Sequence, residues 1–129
     1  MRYVLLLRRA SQKFKEALRA SPSDYSLWNK FGATLTRSGR SREALPVYQR
    51  ALQLNPAYVR AQLNIGISHY NLANYQDAVT SYLKALSTNP DAKHLWSHVR
   101  LCLTCLERYD LVAKTEAEDI NTLRQEFGI

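Results

Sequence analysis

Cysteine, glycine, proline and methionine are all scarce in this 129-residue sequence, numbering two, four, four and one. Two cysteines, Cys102 and Cys105, cannot complete a four-cysteine zinc site or staple a small secreted domain, so a reducing, cytosolic setting fits. So few glycines and prolines exclude collagen-like, linker-like and disordered chains. Long apolar runs are missing too. The longest near the start is Tyr3 to Leu7, flanked by Arg2, Arg8 and Arg9, far short of a signal-peptide core or a membrane span. No Ser/His/Asp set, glycine-rich phosphate loop or paired-carboxylate motif is present, so catalysis has no positive support and no cofactor is expected.

What the sequence has is positive charge, a formal +7, unevenly spread. Residues 1–20 hold six Lys/Arg against one Glu, whereas residues 107–129 hold three basic and six acidic residues. Lys and Arg alternate with apolar residues in the first twenty, which reads as the solvated face of a helix and not as a nucleic-acid site. His94 and His98 have the i, i+4 spacing of a helical metal site, but only Asp91 is near them, and they read as surface or packing residues. Cys102 and Cys105, set among Leu101, Leu103 and Leu106, read as small buried residues, not a redox pair.

The decisive pattern is a repeat. Pro22, Pro56 and Pro90 are 34 residues apart, as are Ala17, Ala51 and Ala85, and Ala10, Ala44 and Ala78. Phe14, Tyr48 and Tyr82 keep the same period, Gly32 and Gly66 share it, and Trp28 and Trp96 lie two periods apart. These columns resemble the tetratricopeptide repeat, in which small residues let two antiparallel helices approach, an aromatic fills the groove beside them and proline ends the second helix. The expected fold is therefore all-α, a tetratricopeptide-repeat superhelix with a C-terminal helical cap.

The register predicts three parts: 1–22 as the second helix of a preceding repeat, 23–92 as two full repeats, and 93–129 as a C-terminal bundle. Helices are expected at about 25–37, 41–54, 58–72 and 75–87. Arg100 stands where the repeats have glycine, which suggests a cap. A last helix should follow a Thr115/Glu118 capping box, with Ile120, Leu123 and Phe127 on its apolar side. The first helix, lacking a partner, should expose a stripe of Val4, Leu5, Leu7, Phe14 and Leu18 and could mediate self-association.

Three stretches are more particular: Asp24-Tyr25-Ser26-Leu27-Trp28-Asn29-Lys30-Phe31-Gly32-Ala33-Thr34-Leu35, then Tyr58 to Ser68 with Asn71-Leu72, then Leu95 to Leu101. Together with the closing Phe127-Gly128 they resemble the peroxisomal targeting signal 1 receptor family over residues 14–129. The resemblance implies a cytosolic receptor that binds cargo ending in a Ser-Lys-Leu type tripeptide and cycles to the peroxisome or glycosome membrane. Docking proteins at that membrane would be engaged by regions outside this chain.

By the same resemblance Asn29, Asn64 and Asn71 are peptide-contacting asparagines, Arg60 lies near the terminal carboxylate, Ala33 shapes the pocket for the final leucine and Lys30 sits at its rim. The chemistry suits such a ligand. An extended peptide needs groups that both donate and accept, as asparagine amides do, and its carboxylate needs a cation. Arg37 departs from the family's asparagine. On this reading the amide of Asn64 is satisfied by water when no peptide is bound. The competing reading is a co-chaperone type domain for an acidic chaperone tail, which would need several concave cations in place of asparagines.

Overall fold

The computed structural model describes residues 2–129, which form eight helices: α1 (Arg2–Ala20), α2 (Tyr25–Arg37), α3 (Ser41–Leu54), α4 (Val59–Asn71), α5 (Tyr75–Thr88), α6 (Leu95–Cys105), α7 (Tyr109–Glu116) and α8 (Ile120–Glu126). No strand occurs among them. The expected helix boundaries hold to within one residue for α2 to α5. Antiparallel hairpins α2/α3 and α4/α5 are the tightest units, and each stacks on its neighbour through α3 with α4 and α5 with α6.

Sterics explain the hairpins. A Cβ placed on Gly32 would lie 2.5 Å from Cε1 of Tyr48, and one on Gly66 would lie 2.5 Å from Cε1 of Tyr82. Only glycine lets each tyrosine ring lie flat against the opposing helix. Ala44, Ala51, Ala78 and Ala85 complete the contact at 0% exposure. Each hairpin turn carries one left-handed residue: Gly39 at φ +76, Ala73 at +59 and Glu107 at +58, again 34 apart. The following amide then bonds back into the first helix, as Arg40 N to Leu35 O, Asn74 N to His69 O and Arg108 N to Leu103 O.

That third turn shows α6 and α7 to be another hairpin of the same kind, cut short. Its Gly–Tyr positions hold Arg100 and Glu116, which form an exposed ion pair at 3.5 Å. The Thr115/Glu118 capping box does not form. Thr115 lies inside α7, where its hydroxyl donates to Val112 O, and Glu118 sits in the following turn and accepts from Lys93. The true cap of α8 is Asp119, whose carboxylate accepts from the Thr122 amide and hydroxyl. α8 folds back on α5 and α7, and its Leu123 enters the core formed by Leu83, Leu86, Leu95, Val99 and Leu103.

α1 packs on α2, with Leu7 and Leu18 buried and the Phe14 ring stacked on Phe31 at 6.4 Å. The expected exposed stripe is therefore corrected: Leu7 and Leu18 face inward and Phe14 is half-buried, while Tyr3, Val4, Leu5 and Leu6 are exposed. Of the cysteines, Cys102 is buried as expected, but Cys105 is exposed, because it ends α6 beyond the reach of the core.

Candidate functional site

The first helices of successive hairpins, α2 and α4, touch each other and are the more closely spaced pair, which puts them on the inner side of the curve. On α4, Arg60, Asn64 and Asn71 are four and seven residues apart and so share one stripe of its surface. Asn29 and Ala33 form the matching stripe of α2, with Lys30 beside them. Asn29 is 8% exposed and buried at the foot of the groove, while Lys30 and Arg60 are exposed and Ala33 and Asn64 are half-buried.

Across this groove Asn64 Nδ2 donates to Asn29 Oδ1 at 3.0 Å. The bond ties the two repeats together and leaves the Asn29 amino group and the Asn64 carbonyl without a hydrogen-bond partner among the described residues. One donor and one acceptor side by side match the N–H and C=O of an extended peptide. The expectation that water alone satisfies Asn64 is corrected here, since its amino group is already used within the protein.

Asn71 is drawn elsewhere. It ends α4, is exposed, and its Nδ2 donates to Ser41 Oγ at 3.2 Å, at the start of α3. The structure thus brings Asn29 and Asn64 together and sets Asn71 about two helical turns away along the same stripe. No sequence signal singles out Ser41, because its role depends on the stacking of one hairpin against the next.

The cations are left unmatched. Among the described residues no carboxylate lies within ion-pairing distance of Lys30, Arg37 or Arg60. A groove with free cations and a paired amide floor suits a ligand that combines negative charge with a peptide backbone. His98, in register with Asn64 one repeat later, is instead turned onto Tyr82, stacking at 5.1 Å, and burial holds its pKa below the usual imidazole value. A cavity of about 350 Å³ beside Trp96, Lys93 and Arg124 lies at the other end of the molecule and touches none of these residues.

The tetratricopeptide repeat family matches residues 30–93. The peroxisomal targeting signal receptor of Kluyveromyces lactis is 33% identical over 127 residues, 89% of this chain and 22% of the relative. The peroxisomal targeting signal 1 receptor of Dictyostelium discoideum is 44% identical over 114 residues, 88% of this chain and 18% of the relative. The chain is a tetratricopeptide-repeat homologue of peroxisomal targeting signal receptors.

This homologue spans about a fifth of the length of the curated relatives it matches. Its fold is also that of MamA, solved as an RS-1 double mutant, with a TM-score of 0.79 over 93% of this chain and 67% of that one. At 19% identity that likeness speaks for the superhelix alone.

Proposed function

We propose that this chain is the signal-binding part of a receptor for proteins ending in a Ser-Lys-Leu type targeting signal. Asn29 and Asn64 would engage the peptide backbone, Arg60 the terminal carboxylate and Ala33 the last side chain, with Lys30 at the rim and Asn71 further along the stripe. The observation that carries the reading is the Asn64–Asn29 amide pair at 3.0 Å, which presents one free donor and one free acceptor between two helices. Homology to targeting signal receptors supports it. Such a receptor collects cargo in the cytosol and delivers it to docking proteins at the peroxisome or glycosome membrane.

A fluorescent peptide ending in Ser-Lys-Leu, its C-terminally amidated form and a peptide with an acidic chaperone-type tail, each titrated against the chain, test the proposal. The free Ser-Lys-Leu peptide should bind in preference to the other two. Asn64→Ala should weaken it by about 1 to 3 kcal/mol, because buried peptide groups lose their partner. The same substitution should lower stability by about 1 kcal/mol, because the Asn29 carbonyl is left without its donor. Equal binding of free and amidated peptides would remove the carboxylate from the mechanism.

A further inference from the structure

Trp28 and Trp96 stand in one column of the repeat but not in one environment. The indole N–H of Trp28 donates to Pro22 O at 2.8 Å, in the turn before α2. Pro90 is the counterpart of Pro22, yet the indole N–H of Trp96 reaches no acceptor among the described residues. The backbone gives the reason. Trp28 N and Gln62 N bond four residues back, to Asp24 O and Tyr58 O, whereas Trp96 N bonds three back, to Lys93 O. Tyr25 and Val59, which open α2 and α4, correspond to Lys93, but α6 opens only at Leu95. Its first turn is wound differently, so the indole is not delivered to the Pro90 carbonyl.

Trp96 lines the cavity of about 350 Å³ between the end of α5, the turn that follows it, α6 and α8. Buried Leu86, half-buried Ile120 and the Trp96 ring give this cavity an apolar wall. Its charges are not all used. Lys93 is paired with Glu118, which the turn before α8 holds at φ +52. Asp91 and Arg124 also line the cavity, and neither has an ion pair among the described residues. The corresponding groove beside Trp28 has Lys15 and Arg19 and no carboxylate.

These groups together say what would fit. A carboxylate without a cation, a guanidinium without an anion, an unclaimed N–H and an apolar wall suit a small molecule that carries both charges and a hydrocarbon body. A simple carboxylic acid would leave Asp91 beside a like charge, and a simple amine would do the same to Arg124. Only a zwitterion answers both.

We propose that this cavity binds a free α-amino acid with an aromatic or branched apolar side chain. Its carboxylate meets Arg124 and the Trp96 N–H, its ammonium meets Asp91, and its side chain lies against Leu86 and Ile120. The charged side chains stay open to water, which sets the affinity low, at about millimolar. The cavity shares no residue with the Asn29–Asn64 groove, so this site stands whether or not that groove takes a targeting signal.

The probe is L-phenylalanine, titrated into the whole ¹⁵N-labelled chain and followed by the two indole N–H signals, which a Trp28→Phe variant assigns. The Trp96 signal should shift saturably while that of Trp28, held by Pro22, stays in place. N-acetyl-L-phenylalanine lacks the ammonium and L-phenylalaninamide lacks the carboxylate, and each should bind roughly tenfold more weakly or worse. Arg124→Gln and Asp91→Asn should weaken L-phenylalanine by a similar factor. Both positions are exposed, and circular dichroism checks that each variant keeps its helix content. A peptide ending in Ser-Lys-Leu should not displace the amino acid. No saturable Trp96 shift, equal shifts of both indoles, undiminished binding of either blocked derivative, or indifference to both substitutions overturns the proposal. So does displacement by the peptide, since the carboxylate would then belong to a chain terminus.

Discussion

In α2/α3 and α4/α5 a glycine of the first helix faces a tyrosine of the second, and the ring is 1% exposed. In α6/α7 the same two positions hold Arg100 and Glu116, 3.5 Å apart with both side chains more than half exposed. The turns of all three hairpins are alike, so the difference lies in what the helices bury. Where hairpins stack on both sides, the column is filled by a steric lock that tolerates no added atom. At the last hairpin it is open to water and filled by charges, whose attraction is screened and contributes little. The change from middle to last hairpin is thus written into the same column that builds the middle, and α8 closes the apolar core there with Leu123.

The comparison breaks most visibly at the glycines. Gly66→Ala and Gly32→Ala should each cost about 3 kcal/mol in urea unfolding, since the new methyl meets a ring that the surrounding core holds in place. Helix propensity favours alanine by about 1 kcal/mol, so a net gain in stability would show that the ring moves aside freely.

A second test uses Cys102, which falls in register with the buried Thr34 and Ser68 but carries a titratable group. Burial, and then the nearby Cys105, push its thiol up to about 12 from an ordinary 9.0. The folded state therefore prefers the neutral thiol. Its contribution is complete below pH 9.0 and is lost as pH rises toward about 12, by about 1.4 kcal/mol per pH unit within that window. Cys102→Ala should flatten the alkaline limb of a stability profile, and an unchanged limb would assign it to other groups. Tyr48 and Tyr82, both raised chiefly by burial, add to the loss at higher pH.

The turns give a smaller and more selective contrast. Gly39 and Ala73 occupy the same left-handed position, with φ of +76 and +59. Gly39→Ala should cost about 1 kcal/mol and Ala73→Gly should gain a similar amount, read as shifts in the urea midpoint. Equal and opposite changes would show that the two turns are energetically interchangeable. Smallest of all, Arg100→Ala should change stability by less than about 0.5 kcal/mol. A loss of several times that size would mean that the exposed ion pair locks α6/α7 as the tyrosines lock the inner hairpins.

The columns of the repeat were legible in the sequence because each answers to a local steric rule: glycine under a ring, alanine between close helices, proline after the second helix. They placed α2 to α5 within a residue and put Asn29, Asn64, Asn71 and Arg60 on first helices. They misled where the rule was absent. With Arg100 in the glycine position the third hairpin reads as a helical cap and not as a repeat, and the signal that restores it, a left-handed Glu107, is conformational and has no residue signature.

Sequence by itself determined the period, the helix pairing and which residues face the inner side of the curve, since these follow from helical geometry and from the volumes of side chains four residues apart. Only the tertiary structure decided how those side chains meet. Asn64 reaches Asn29 while Asn71 turns to Ser41, His98 leaves its column for Tyr82, and Cys105 is exposed while Cys102 is buried. Each outcome depends on the distance and rotation between successive hairpins, a property of the whole stack that no single repeat encodes.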